Sequence, residues 1–163
     1  MIDARAFRDT LGRVPTGVSV ITTRDAAGQL DGVTVGSFSS LSLDPPLVLW
    51  SLDKKANCHA AFMACSHFVV NVLAEDQADL SRVFATKEAR PWDELDHAPA
   101  EMTGAPKFPG CCAYLECEME ARHPGGDHDI FIGRVLRLEP ATAGRPLLHF
   151  GGAYRRLDED RVA

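Results

Sequence analysis

The sequence predicts a mostly β protein, a small antiparallel barrel that is closed or nearly so, with two or three short helices at its periphery. Three observations carry this. About six segments are β-branched, aromatic or alternating in polarity; turn-forming Gly, Asp and Pro residues stand between successive ones; and helical spacing is confined to a few short stretches. The 163 residues are 45% hydrophobic and 25% charged, an ordinary globular composition of single-domain length, so one domain over 1–163 is expected.

The elements follow in order. Ala4, Phe7 and Leu11 stand at i, i+3 and i+7 behind Asp3, a capping residue, and Gly12 and Pro15 close this first helix. Residues 17–23 (GVSVITT) are β-branched and lead through a Gly- and Asp-containing turn into VTVGSFSSLSL (33–43), read as a paired strand. After DPP (44–46), LVLWSL (47–52) is apolar on both faces, which predicts a strand covered on both sides, in the middle of the sheet. Residues 57–66 turn helical, with Asn57 as cap and Ala61, Phe62 and Cys65 on one stripe, before the strand HFVVNVL (67–73). A further helix over 75–85 places Leu80, Val83 and Phe84 on one face, and 86–110 is a long connection. AYLECEMEAR (113–122) alternates strictly, with Tyr114, Glu116, Glu118, Glu120 and Arg122 on a solvated face. After the Pro-Gly-Gly turn, residues 129–139 form the last long strand, with His128, Ile130 and Ile132 pointing inward from one face.

The net charge of −6, with no basic run longer than Lys54-Lys55 or Arg155-Arg156, excludes a nonspecific nucleic-acid binder. Charges at positions 3, 5, 8, 9 and 13 rule against a signal peptide, and no apolar run reaches membrane-spanning length. A cytoplasmic protein with no membrane partner is expected. Five cysteines, two of them adjacent at 111 and 112, suit neither a disulfide framework nor a CxxC motif, so reduced and mostly buried thiols are expected.

Three stretches could carry chemistry. In TVGSFSSLSLDPP (34–46) hydroxyls crowd between apolar strands; either they bond their own backbone at a twisted edge, or Gly36 lets a flat ligand approach a wall of N–H and O–H donors. In SLDKKANCHAAF (51–62) two lysines precede a helix start, which suits a phosphate, against the plainer reading of a solvated loop. In HPGGDHDIFIGRV (123–135) His128 could be a metal ligand, a packed structural histidine or the rim of a ligand pocket; HExxH and paired CxxC spacings are absent, so no metal is expected, and the other two readings stay open. No Walker or GxGxxG pattern is present.

Taken together, five collinear segments, FRDTLGRVPTGVSVITT (7–23), GVTVGSFSSLSLDPPLVLWSL (32–52), HFVVNVLAEDQADLSRVFA (67–85), GGDHDIFIGRV (125–135) and PLLHFGGAY (146–154), resemble the short-chain flavin reductases of two-component monooxygenases, in the FMN-binding split-barrel group. The resemblance implies a six-stranded antiparallel split β-barrel, a homodimer, and FMN or FAD near the subunit interface, reduced by NADH or NADPH and passed to a flavin-dependent monooxygenase. It places Thr34, Gly36, Ser37, Phe38, Ser39 and Ser40 along the isoalloxazine ring and ribityl chain. Ser51, Lys54, Lys55, Asn57 and Cys58 fall around the phosphate. His128 of the GGDH hallmark falls beside flavin and nicotinamide, and Phe150 and Tyr154 match the C-terminal aromatic positions. Gly36 stands where many relatives carry Asn, and Cys58 where Ser or Thr is common, two departures that bear on flavin affinity and on the choice between FMN and FAD. Two rival readings share the fold: a noncatalytic flavin- or haem-binding module, and an FMN-containing reductase of a non-flavin acceptor.

Overall fold

The structure, a computed structural model, describes residues 2–140 and 144–157. In chain order it contains α1 (Ala4–Leu11), β1 (Thr16–Gly17), β2 (Ser19–Arg24), β3 (Leu30–Val35), β4 (Ser39–Leu43), β5 (Pro46–Asp53), α2 (His59–Ala64), β6 (His67–Val72), α3 (Ala78–Ala85), β7 (Ala98–Pro99), β8 (Pro106–Lys107), β9 (Ala113–Gly125), β10 (His128–Pro140), β11 (Leu148–Phe150) and β12 (Ala153–Arg155). The main antiparallel sheet runs β3-β2-β6-β9-β10-β5-β4. β3 and β4 are its two edges yet follow each other in the chain, so residues 36–38 cross the split that a closed barrel would not have. One strand expected over 33–43 is therefore two, and the six strands read from the sequence become seven.

Why the sheet curls is visible in its core. Trp50 and Phe131 stack at 4.5 Å, and Phe62 and Phe68 meet the indole edge-on at 4.9 and 5.8 Å; all four are buried, together with Ile21 and Cys117. Gly133 lets β10 approach this cluster, since a Cβ there would run into the Phe68 ring and come within 3.0 Å of Cys117 Cβ. A bulge beside Gly133 adds the bend. A second cluster of Val18, Val20, Leu73, Phe84, Phe108 and Leu147 seats α3 and the C-terminal hairpin on the other side of β2.

Four expectations are corrected here. LVLWSL is not central: β5 lies second from an edge, with Val48, Trp50 and Leu52 buried while Leu47, Leu49 and Ser51 on its other face are half-exposed. Apolar composition alone could not separate a covered face from one left half-bare. Asn57 does not cap α2; the cap position is Cys58, and the Asn57 amide reaches across to Lys87 O at 2.7 Å. Glu116 is not on a solvated face but 1% exposed, because the 98–107 hairpin folds over it and its Oε2 accepts Met102 N at 2.7 Å and Thr103 N at 3.1 Å. Finally, the inward face of β10 is Asp129, Phe131 and Gly133, whereas His128, Ile130 and Ile132 are half-exposed on the outer face. The aromatic stack claims the inner side, and alternation places the histidine outside. α1 forms as read, Asp3 accepting the amides of Arg5 and Ala6, but Phe7 and Leu11 remain about half-exposed, at 53% and 52%.

Candidate functional site

The crossing at residues 36–38 organises the site. Gly36 lies against a neighbour there: a Cβ would meet Thr16 Oγ1 at 2.8 Å, so a side chain at this position needs Thr16 to give way. Ser37 Oγ then accepts Ser51 N at 3.0 Å and donates to Ser51 O at 3.2 Å, clamping the crossing to β5. Phe38 turns back onto the barrel core as a half-buried plug, and Ser39 Oγ bonds the carbonyl of Ser40. For Ser39, then, the local-backbone reading describes the hydroxyl; for Ser37 the partner is a second strand.

Register places other residues side by side. Ile130 pairs with Ser51 and Ile132 with Leu49, which itself faces Ser39, while His128 pairs with Asp53. Paired residues share a face, so His128, Ser51 and Ser39 lie on the outer face of the β10-β5-β4 edge among Ile130, Ile132 and Leu49. The His128 side chain is 42% exposed, and its Nδ1 is 2.8 Å from Asp127 Oδ1. That hydrogen bond holds the exposed Asp127 carboxyl below its usual range, aided by the charges of His128 and Lys55.

Behind this edge lies a cavity of about 210 Å³ lined by Thr34, Asp53, Lys55, Asn57, Cys58, Phe84 and the segment Ala85, Thr86, Lys87 and Arg90. Three cations therefore face it. The Arg90 guanidinium sits over the Phe84 ring, 5.5 Å from its centroid, with Nη1 donating to Glu88 O at 2.6 Å, while its buried Nε has no hydrogen-bond partner among the described residues. An orphaned guanidinium N–H beside two ammonium groups suits a phosphate. Lys54 does not join them; its Nζ donates to Gly126 O at 2.7 Å and stands 3.7 Å from Asp129 Oδ1. Cys58 is 2% exposed, and desolvation together with the Asp31 charge pushes its thiol up to about 11, so it acts as a packed apolar group. Asp31, half-buried nearby, is likewise raised by desolvation, partly offset by the Gly32 amide and Arg90.

A second cavity, of about 200 Å³, shares Thr34 and Ala85 with the first and adds Thr16, Gly36, Ser81, His149 and Tyr154. Thr34 Oγ1 donates to Ser81 O at 2.7 Å, and Tyr154 Oη lies 2.8 Å from Ser81 Oγ. Phe150 lies apart from both, under the Arg13 guanidinium at 5.9 Å. Each of these two cavities is below the ~300–1,000 Å³ usual for a ligand pocket. Lys87, Arg90, Thr16, Ser81 and His149 escaped sequence reading. Only their place in the long 86–110 connection, of a length that is often functional, pointed toward the first two.

Comparison with known proteins follows the same lines. A family model described as "Flavin reductase like domain" matches residues 11–158. The chain is 45% identical over 155 residues to the FMN reductase (NADH) SmoA of Agrobacterium fabrum, covering 95% of this chain and 87% of that protein. It is 40% identical to the flavin-dependent monooxygenase reductase subunit HsaB of Mycobacterium tuberculosis, over 99% of this chain and 86% of the relative. Among solved structures, the NADH:FAD oxidoreductase SgcE6 of Streptomyces globisporus, in complex with NAD and FAD fragments, superposes with a TM-score of 0.91 at 37% identity, covering 98% of both chains.

Proposed function

Because the chain belongs to the flavin reductase family, we propose that it is an NAD(P)H-dependent flavin reductase that oxidises the nicotinamide, reduces FMN or FAD, and supplies reduced flavin to a partner monooxygenase. The observation that carries this reading is the cation cavity of Lys55, Lys87 and Arg90 opening beside the outer face that bears Ser39, Ser51 and His128, in a chain matched over nearly its whole length by reductases. A bound flavin would supply the redox chemistry, as the acceptor of a hydride. The protein's task is to bind and orient. Lys55, Lys87 and Arg90 hold the phosphate; the Ser37–Ser51 clamp fixes the strand edge on which the ring rests; His128, oriented by Asp127, borders the ring position and aligns the nicotinamide. No side chain here has to act as a nucleophile.

The outer face is proposed to be covered by a second copy. Ile130, Ile132, Leu47 and Leu49 are half-exposed there. Apolar surface of this kind, continuous with the ring position, suits a homodimer interface that completes the site. The test is direct. The purified protein is mixed with FMN or FAD and with NADH or NADPH, and loss of reduced-nicotinamide absorbance is followed; turnover with at least one pair is expected. Absence of turnover with every pair would overturn the reading, and a monomer by sedimentation at working concentration would overturn the dimer.

A further inference from the structure

We propose that Asp129 is a positioning residue of the reductase: its buried carboxylate pins Lys54 and His59, so that the lysine loop and the His128 turn are held as one body. The inference rests on the reading above and deepens it. Asp129 follows His128 directly, on the opposite face of β10, and is 9% exposed. Its Oδ2 lies 2.7 Å from His59 Nε2, on the first residue of α2, and its Oδ1 lies 3.7 Å from Lys54 Nζ. A carboxylate only accepts, so His59 Nε2 carries the hydrogen.

The same lysine closes the structure from the other side. Lys54 N donates to Asp127 O at 3.0 Å, and Lys54 Nζ donates to Gly126 O at 2.7 Å. Three elements, the 53–58 loop, the start of α2 and the 125–128 turn, are thus tied together through Asp129 and Lys54. A buried carboxylate is tolerated only while its partners stay in place; here Lys54 lies on the loop that frames the cation cavity and bonds the turn before His128, and His59 follows that loop directly. Strand alternation transmits the constraint: with Asp129 held inward, His128 must face outward beside Asp53. Lys54 is also kept out of the cavity, leaving Lys55, Lys87 and Arg90 to bind the anion.

The experiment compares Asp129→Ala, Asp129→Asn, His59→Ala and His59→Gln with the unaltered protein in three measurements: amide exchange of Lys54, the FMN dissociation constant by fluorescence, and the KM for NADH. Asp129→Ala is expected to accelerate exchange at Lys54 and to raise both constants by about tenfold or more, the scale of a small misplacement of reacting groups. Asp129→Asn and His59→Gln, each keeping one hydrogen bond of the pair, should recover part of the loss, and the double alanine variant should be no worse than Asp129→Ala alone. His59→Ala leaves the Lys54 contact and serves if Asp129→Ala fails to fold. A merely structural role would lower the melting temperature while leaving both constants within about twofold of the original and Lys54 exchange unchanged, and that result refutes the proposal. If the unaltered protein oxidises no nicotinamide, the functional reading fails, while accelerated Lys54 exchange in the variants would still establish the coupling.

Discussion

Replacing Arg90 by Met tests the phosphate cavity with the least disturbance, because the Met side chain keeps the apolar contact with Phe84 and removes only the guanidinium. That group lines the cavity with Lys55 and Lys87, and its Nε has no hydrogen-bond partner among the described residues. A hydrogen bond to a charged group contributes about 1.5–3 kcal/mol, and since about 1.4 kcal/mol is a factor of ten, FMN affinity should fall by about one to two orders of magnitude. Partial exposure of Arg90 places the expected value toward the lower end. Riboflavin is the control, since it carries the same ring and polyol without the phosphate. Fluorescence titration at low and high salt should show FMN affinity reduced and its salt dependence weakened, with riboflavin affinity within about twofold of the original. Equal losses for FMN and riboflavin, or none for FMN, would refute the placement of the phosphate.

Four further outcomes are expected. Glu116→Ala should destabilise the fold by about 3 kcal/mol or more in urea unfolding, because it strands the Met102 and Thr103 amides that the carboxylate accepts; limited proteolysis should then cut within 98–107. Gly133→Ala should cost about 1–3 kcal/mol by driving a methyl into the Phe68 ring, read as a lowered melting temperature. Ile132→Glu should turn a dimer into monomers and weaken flavin binding with little change in melting temperature, since Ile132 lies on the half-exposed face. Burial pushes the thiols of Cys58, Cys111 and Cys117 up to about 11, 12 and 12. These stay protonated in the folded state while the unfolded thiols ionise, so stability should hold below about pH 8.5 and then fall by up to about 1.4 kcal/mol per pH unit for each thiol, as seen in denaturation at successive pH values.

Much of the fold was legible because its signals are local. The cap of α1, the alternation of β9 and the β-branched runs of β2 and β6 need only neighbours along the chain. What the sequence could not disclose were partners distant along it. Glu116 reads as one more outward acid in a strict alternation until the 98–107 hairpin arrives to bury it. Gly36 reads as room for a ligand, but the residue that its missing Cβ clears, Thr16, stands twenty residues away in the chain. Asn57 reads as a helix cap but reaches Lys87, thirty residues on. The site divides in the same way: Lys55 was visible as half of a lysine pair, whereas Arg90 becomes part of the site only through its position over Phe84.

The inverted face of β10 shows how packing and site are linked. Ile130 and Ile132 are apolar enough to point inward, but pairing puts Phe131 opposite Trp50, and only one of the two sets can occupy the concave side. The aromatic pair buries more area and stacks at 4.5 Å, so it takes the core and the isoleucines are turned out. His128 goes with them, by alternation alone. A histidine at the mouth of this strand is thus delivered to the outer face by a stacking contact three residues away. The apolar residues stranded beside it make that face adhesive, which is the property that the proposed ring-binding surface between two copies requires.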